Sequence, residues 1–181
     1  MSLRRQSAVL VLLLVPGGVL GCDPSGAHGI AFGDKPGRDA RKQPGSGKAS
    51  TWYEVTPPRP DARFDRYLVR TDTATGRIYE VSAVKTIIPM ERSEGLTAGQ
   101  REDGVRQATA FARDYVATLP ADVQSRLVDE YGNSHWEGAI ADGTWMMVDV
   151  DFSWDVTVAC RDLRGERVMG ERVLPEMFDS K

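Results

Sequence analysis

From Met146 to Cys160 every even-numbered residue is apolar: Met146, Val148, Val150, Phe152, Trp154, Val156, Val158 and Cys160. The odd-numbered residues between them are mainly polar. This period of two predicts β-structure, with the even set against a core and the odd set turned outward. A straight strand over residues 146–160 would run about 50 Å, too long for a domain roughly 35 Å across. The run therefore predicts a hairpin. A two-residue loop would reverse the parity, so the spacing calls for a three-residue turn or a bulge near Asp151 to Trp154. Upstream, Trp136 and Ile140 join the even face if Ala141-Asp142-Gly143 is a three-residue loop with Gly143 left-handed.

Earlier in the chain, Tyr67–Thr71 and Arg77–Ile88 are rich in β-branched and aromatic residues. They flank Asp72-Thr73-Ala74-Thr75-Gly76, which carries the turn chemistry of a hairpin, and Pro89 ends the second strand. Thr97 and Gln100 have the spacing of a capping box. Val105, Ala108, Ala112, Tyr115 and Leu119 follow at intervals of three or four, with Phe111 widening the stripe, which predicts one amphipathic helix. Pro120 suits the first position of a second helix through Val123, Leu127 and Tyr131, ended by Gly132. Trp52–Val55 reads as a short strand or packing segment, and Thr56-Pro57-Pro58-Arg59-Pro60 as a stiff strap. Together these elements predict a single α+β domain over residues 51–181. Its expected order is β-β-α-α-β-β-β, with two helices packed on one face of an antiparallel sheet.

The N-terminus has a different pattern. Arg4 and Arg5 precede an unbroken apolar run from Ala8 to Val15, which Pro16, Gly17 and Gly18 interrupt. Residues 1–21 read as an export signal, because the apolar run is about half the roughly 20 residues that span a bilayer. Val19-Leu20-Gly21-Cys22 resembles the lipobox of bacterial lipoproteins. That resemblance, confined to residues 1–22, implies cleavage before Cys22, diacylation of its thiol and a lipid anchor on the extracytoplasmic side of the cell membrane. More than one acyl chain is what stable anchoring requires. Residues 22–50 are rich in Gly, Pro and charged side chains, with Ile30 and Phe32 the large apolar ones, and predict a lipidated flexible tether reaching roughly 30 Å. His28 falls within it as a solvated loop residue.

Charge and chemistry narrow the function. With 23 Lys and Arg against 26 Asp and Glu, the net charge of −3 argues against nucleic acid as a partner. Two cysteines, Cys22 and Cys160, exclude a multi-bridge framework and a thiolate-rich zinc site. Asp149, Asp151, Ser153 and Asp155 match the first alternating positions of a calcium loop, but the glycine and the closing glutamate such a loop needs are Trp154 and Cys160. A solvent-facing acidic strand is the better reading, and no metal or cofactor is expected. A hydrolase would need His135 beside Ser134, Ser153 or Cys160, whereas Cys160 on the even face reads as a small core residue. A catalytic role is not predicted. The candidate binding surface is Trp145, Met147, Asp149, Asp151 and Asp155, suited to an envelope protein, or alternatively to a small ligand or cell-wall glycan.

Overall fold

The computed structural model describes residues 22–166 apart from 45, 46, 48, 90–93, 130 and 133. The expected export signal lies outside the described residues. In chain order the elements are β1 (Cys22–Asp23), β2 (Gly26–Ala27), β3 (Ile30–Ala31), β4 (Arg41–Lys42), β5 (Ser50–Val55), β6 (Arg66–Asp72) and β7 (Ile78–Thr86). Then come α1 (Ala98–Ala117), α2 (Ala121–Gln124), β8 (Val128–Asp129), β9 (His135–Ala141), β10 (Thr144–Val150) and β11 (Asp155–Asp162). The strands β4-β5-β6-β7-β11-β10-β9-β8 lie side by side in one sheet, and β1-β2-β3 form a second, small one. Every pairing is antiparallel. The chain is thus an α+β protein, as the pattern of elements predicts. The expected order is corrected, because β5 precedes the first hairpin, β8 follows the helices and four short strands come before them all.

The alternation in β10 and β11 works as the parity requires. Met146, Val148, Val156, Val158 and Cys160 are all buried, and Trp136 and Ile140 share their side. The N–H of Asp151 donates to the carbonyl of Asp155 at 3.0 Å, which leaves 152–154 as a three-residue loop. Trp154 takes the left-handed position there, with φ 62°. Phe152, although even-numbered, sits at the tip and is fully exposed. At the β9–β10 end the loop is two residues, Asp142-Gly143, and the register jumps from Thr144↔Ala141 to Trp145↔Ala139. The bulge at Ile140 supplies the odd residue that the loop lacks, so parity survives by a different device. Gly143 is left-handed, at φ 73°.

Helix α1 starts at the expected capping box: the Thr97 hydroxyl accepts from the Gln100 N–H, and the Gln100 side chain accepts from the Thr97 N–H. It packs on β10 and β11 through Gly104, Ala108, Ala112 and Tyr115. Small residues at three of these four positions bring the helix axis close to the sheet. Val105, expected in the stripe, is half exposed, and Gly104 lies on the buried side instead. The second helix is shorter than its spacing implied: α2 stops at Gln124, and Tyr131 is exposed.

The largest correction concerns residues 22–44. They are not a free tether over the described stretch, because β1, β2 and β3 fold into a small sheet whose Cys22 and Ala27 belong to the core. Two tight turns make this possible. The second is formed by His28 and Gly29, at φ 51° and 80°, and both central residues of such a turn must be left-handed. Gly therefore serves turn geometry here, and its abundance misleads a composition argument. His28 is buried, edge-on to Tyr67 with ring centroids 4.9 Å apart, and burial lowers its pKa. Phe64 meets Tyr67, Phe111 and Tyr115 edge-on, which joins this corner to α1. Cys160, expected as a small core residue, is in the core, but its sulfur is bonded to that of Cys22. In this form the Cys22 sulfur is therefore not available for a thioether to lipid.

Candidate functional site

The α1 side of the sheet is filled by the helix and by the N-terminal sheet, so the expected binding surface must lie on the other side. Directly paired residues of neighbouring strands share a face, and the register gives the composition of that face. One row runs Trp52, Arg70, Glu80, Arg161, Trp145 across β5, β6, β7, β11 and β10. The next runs Leu68, Ser82, Ala159, Met147 and Glu137. A third runs Arg66, Val84, Thr157, Asp149 and His135. Helix α1 lies on the opposite side, and the helical residues 163–166 that follow β11 touch this face at one edge, where Glu166 reaches Arg161 and Gly165 approaches Tyr79.

Glu80 is the electrostatic centre. Its side chain is buried, and its Oε2 receives Arg161 Nε at 3.0 Å and lies 3.6 Å from Arg70 Nη1. Ser82 Oγ donates to its other oxygen at 3.3 Å. Two guanidiniums and a hydroxyl thus compensate one buried carboxylate, which would otherwise be costly. Arg70 also stands 5.2 Å from the ring centroid of Trp52 and donates to Ser50 Oγ. Arg161 reaches Glu166 at 3.4 Å. The result is a fixed cation-carboxylate-cation bar with a tryptophan at each end of its row.

Of the five residues expected to form the surface, Trp145, Met147 and Asp149 lie together on this face, each half-buried. The other two have structural tasks. Asp151 Oδ1 accepts from the Ser153 N–H and hydroxyl, both at 2.8 Å, and from the Asp155 N–H at 3.0 Å, closing the β10–β11 turn. Asp155 is buried and paired with Arg66 at 2.6 Å. Asp149 faces His135. The three carboxylates therefore serve three different partners instead of converging as a calcium loop would. Among the described residues, no group of three or more His, Cys, Asp or Glu side chains is placed so that it could hold a metal ion.

His135 is held between two carboxylates. Its Nδ1 is 2.8 Å from Asp149 Oδ1 and its Nε2 is 3.5 Å from Glu137 Oε2. Burial alone would lower its pKa, but the hydrogen bond and charge of Asp149, reinforced by Glu137, raise it above the usual histidine value. Both ring nitrogens thus face acceptors. Ser134 Oγ donates to the Tyr131 carbonyl, Ser153 Oγ to Asp151, and Cys160 is in the disulfide. The three nucleophiles weighed for a hydrolase are engaged elsewhere.

The Arg70-Glu80-Arg161 bar has a signal in the sequence. Arg66, Leu68 and Arg70 alternate on one strand, as do Glu80, Ser82 and Val84 on the next, and period two places each set on one face. The helices of the described residues include none long and apolar enough to cross a membrane. No family model, curated protein or solved structure matches the chain.

Proposed function

We propose that this protein is exported and acts at the cell envelope as a non-catalytic interaction module, presenting the face of its sheet opposite α1 to a partner. The observation that carries the export half is the Cys22–Cys160 disulfide, which ties the first described strand to the last. Such bonds persist in oxidising compartments outside the cytosol, and residues 1–21 have the segments of an export signal. The binding half rests on the mixed composition of that face. Tryptophans and a methionine supply apolar area, and the fixed Arg and Glu side chains supply direction. A folded envelope protein is the favoured partner; a small ligand or cell-wall glycan is the alternative, which stacking on Trp145 would support.

A second reading of Cys22 is favoured by the Val19-Leu20-Gly21-Cys22 motif: lipidation at this sulfur and anchoring in the membrane. The two fates are mutually exclusive, since one sulfur carries either a thioether or a disulfide. Intact-mass analysis of the full chain expressed in a bacterium, with free thiols alkylated, separates them. The proposal expects a chain cut after the export segment, recovered outside the cytosol, with no alkylated cysteine and no lipid. A diacylglyceryl mass on Cys22 with an alkylated Cys160 supports the anchored form of the same envelope role. A full-length chain in the cytosol with both thiols alkylated overturns the export proposal.

A further inference from the structure

Residues 22–32 are joined to the rest of the molecule by few directed contacts. Cys22 is bonded to Cys160 and is 1% exposed, and Ala27 is buried with it. His28 lies edge-on to Phe64 and Tyr67, and its carbonyl accepts from the Arg59 N–H at 3.0 Å. Ile30 and Phe32 are half-buried against the core. The other bonds are internal to the segment: Cys22 pairs with Ala27, Ala27 with Ile30, and the Phe32 N–H donates to the Ser25 carbonyl. Asp23 is likewise bonded to Ser25. The next two residues are fixed differently. The Gly33 N–H donates to the Ile78 carbonyl and the Ile78 N–H to the Asp34 carbonyl, both at 2.8 Å, while Arg77 Nη1 donates to the Gly33 carbonyl at 3.0 Å. Gly33 has φ 85°, a left-handed position that glycine takes freely. Attachment to the body thus changes abruptly between Phe32 and Gly33.

We propose that residues 22–32 are a detachable clasp hinged at Gly33, pinned shut by the Cys22–Cys160 bond and opened by a bulky group on the Cys22 sulfur. For its native use the inference rests on the reading of Cys22 as a lipidation site. A thioether carrying glycerol and two acyl chains has no place on a side chain 1% exposed in a close-packed core. The displacement that relieves this conflict with the smallest loss is release of the N-terminal sheet, because most of its hydrogen bonds are its own and the bonds at Gly33 and Asp34 stay in place. The eleven freed residues reach at most about 40 Å when extended, which supplies a tether where the closed form has none. The same motion uncovers Phe64 and Tyr67, together with Val69 and Ile78, which line a cavity of about 220 Å³ with Gly29, Ile30 and Ala31. Each of these four is at most 7% exposed in the closed form. The anchored and disulfide-bonded forms therefore differ in surface as well as in location.

Hydrogen exchange read by mass spectrometry, on the full chain refolded in mild detergent, tests the clasp without relying on lipid attachment in a cell. In Cys160→Ala the single remaining thiol is that of Cys22. It is coupled in denaturant to N-hexadecylmaleimide, and an uncoupled portion is refolded beside it. The hexadecyl form should exchange the amides of residues 26–32 ~100-fold or more faster than oxidised wild type, as a locally open segment does. Its β6 and β7 amides should keep their protection, and the uncoupled variant, whose thiol position still fits the core, should stay closed. Wild-type protection of 26–32 in the hexadecyl form overturns the proposal. So does equal loss of protection in β6 and β7, which would make the segment an inseparable part of the domain. An uncoupled variant as open as the hexadecyl form also overturns it, since opening would then belong to loss of the bond and not to the bulky group. Failure of the lipidation reading shows instead as a missing lipid mass on the bacterially expressed chain, a result separate from any of these.

Discussion

Replacing Cys160 by alanine gives the most direct test of how the chain is closed. Cys22 and Cys160 are 138 residues apart in sequence and lie, buried, on the inner side of the main sheet. On the chain-entropy relation, a cross-link closing a loop of that length removes ~17 cal/mol/K from the unfolded ensemble, or about 5 kcal/mol at 25 °C. Loss of the sulfur from the core adds ~1 kcal/mol. With a urea m-value of about 2 kcal/mol/M, the unfolding midpoint should fall by ~2.5 M or more. The assay is urea unfolding followed by tryptophan fluorescence, with wild type measured in the presence and absence of reductant. Because both sulfurs are shielded, reduction proceeds through the unfolded state, so equilibration must begin from denatured protein. Reduced wild type should then match Cys160→Ala to within the contribution of the sulfur. A midpoint shift below ~0.5 M, with no effect of reductant, would refute the cross-link. That is the result expected of a chain whose Cys22 carries lipid.

Three further outcomes follow from the geometry. A Cβ on Gly138 would overlap the Arg126 carbonyl oxygen, so Gly138→Ala should destabilise by about 2 kcal/mol, in the range of overpacking, measured by chemical unfolding. Asp151 makes all three of its turn bonds through one oxygen; Asp151→Asn should be nearly neutral, while Asp151→Ala costs about 1–2 kcal/mol. A calcium-dependent melting temperature abolished in Asp151→Asn would contradict that assignment. The raised pKa of His135 means that the folded state binds its proton more tightly than the unfolded state. Its contribution is fully present below the ordinary value of 6.5 and is lost as pH rises through the higher folded value. The stability gap between wild type and His135→Asn should therefore narrow from pH 6 to pH 9, and a gap that widens would reverse the sign.

How far the sequence carried depended on what each signal encodes. Period two in residues 146–160 predicted both the strands and the odd-length turn, because side-chain alternation is a local property of extended chain. The capping box at Thr97 and Gln100 was equally local and equally plain. The helix stripe was harder, since Val105 and Gly104 are adjacent and only the positions of Ile88 and Trp154, contacts between distant parts of the chain, decide which one faces inward. Composition failed outright for residues 22–44. Glycine and proline lower apolar content in a linker and in a set of tight turns alike, and the Cys22–Cys160 bond that favours the second case is invisible to composition. Alternation alone puts Asp155 on a wet face, because it says nothing of Arg66, which lies on another hairpin and reaches it at 2.6 Å.

On the proposed export route, the Cys22–Cys160 bond between the first and last described strands also sets an order of events during delivery. A chain threaded outward from its N-terminus presents Cys22 long before its mate, which is 138 residues behind. At a synthesis-limited ~5–20 residues per second, that head start is about 7–28 s. Throughout this interval a modifying enzyme meets a solitary, unshielded thiol, and an oxidant meets only half of a bond. The fate of this sulfur is thus a race whose starting gun fires at the beginning of the polypeptide and whose finishing line is drawn near its end.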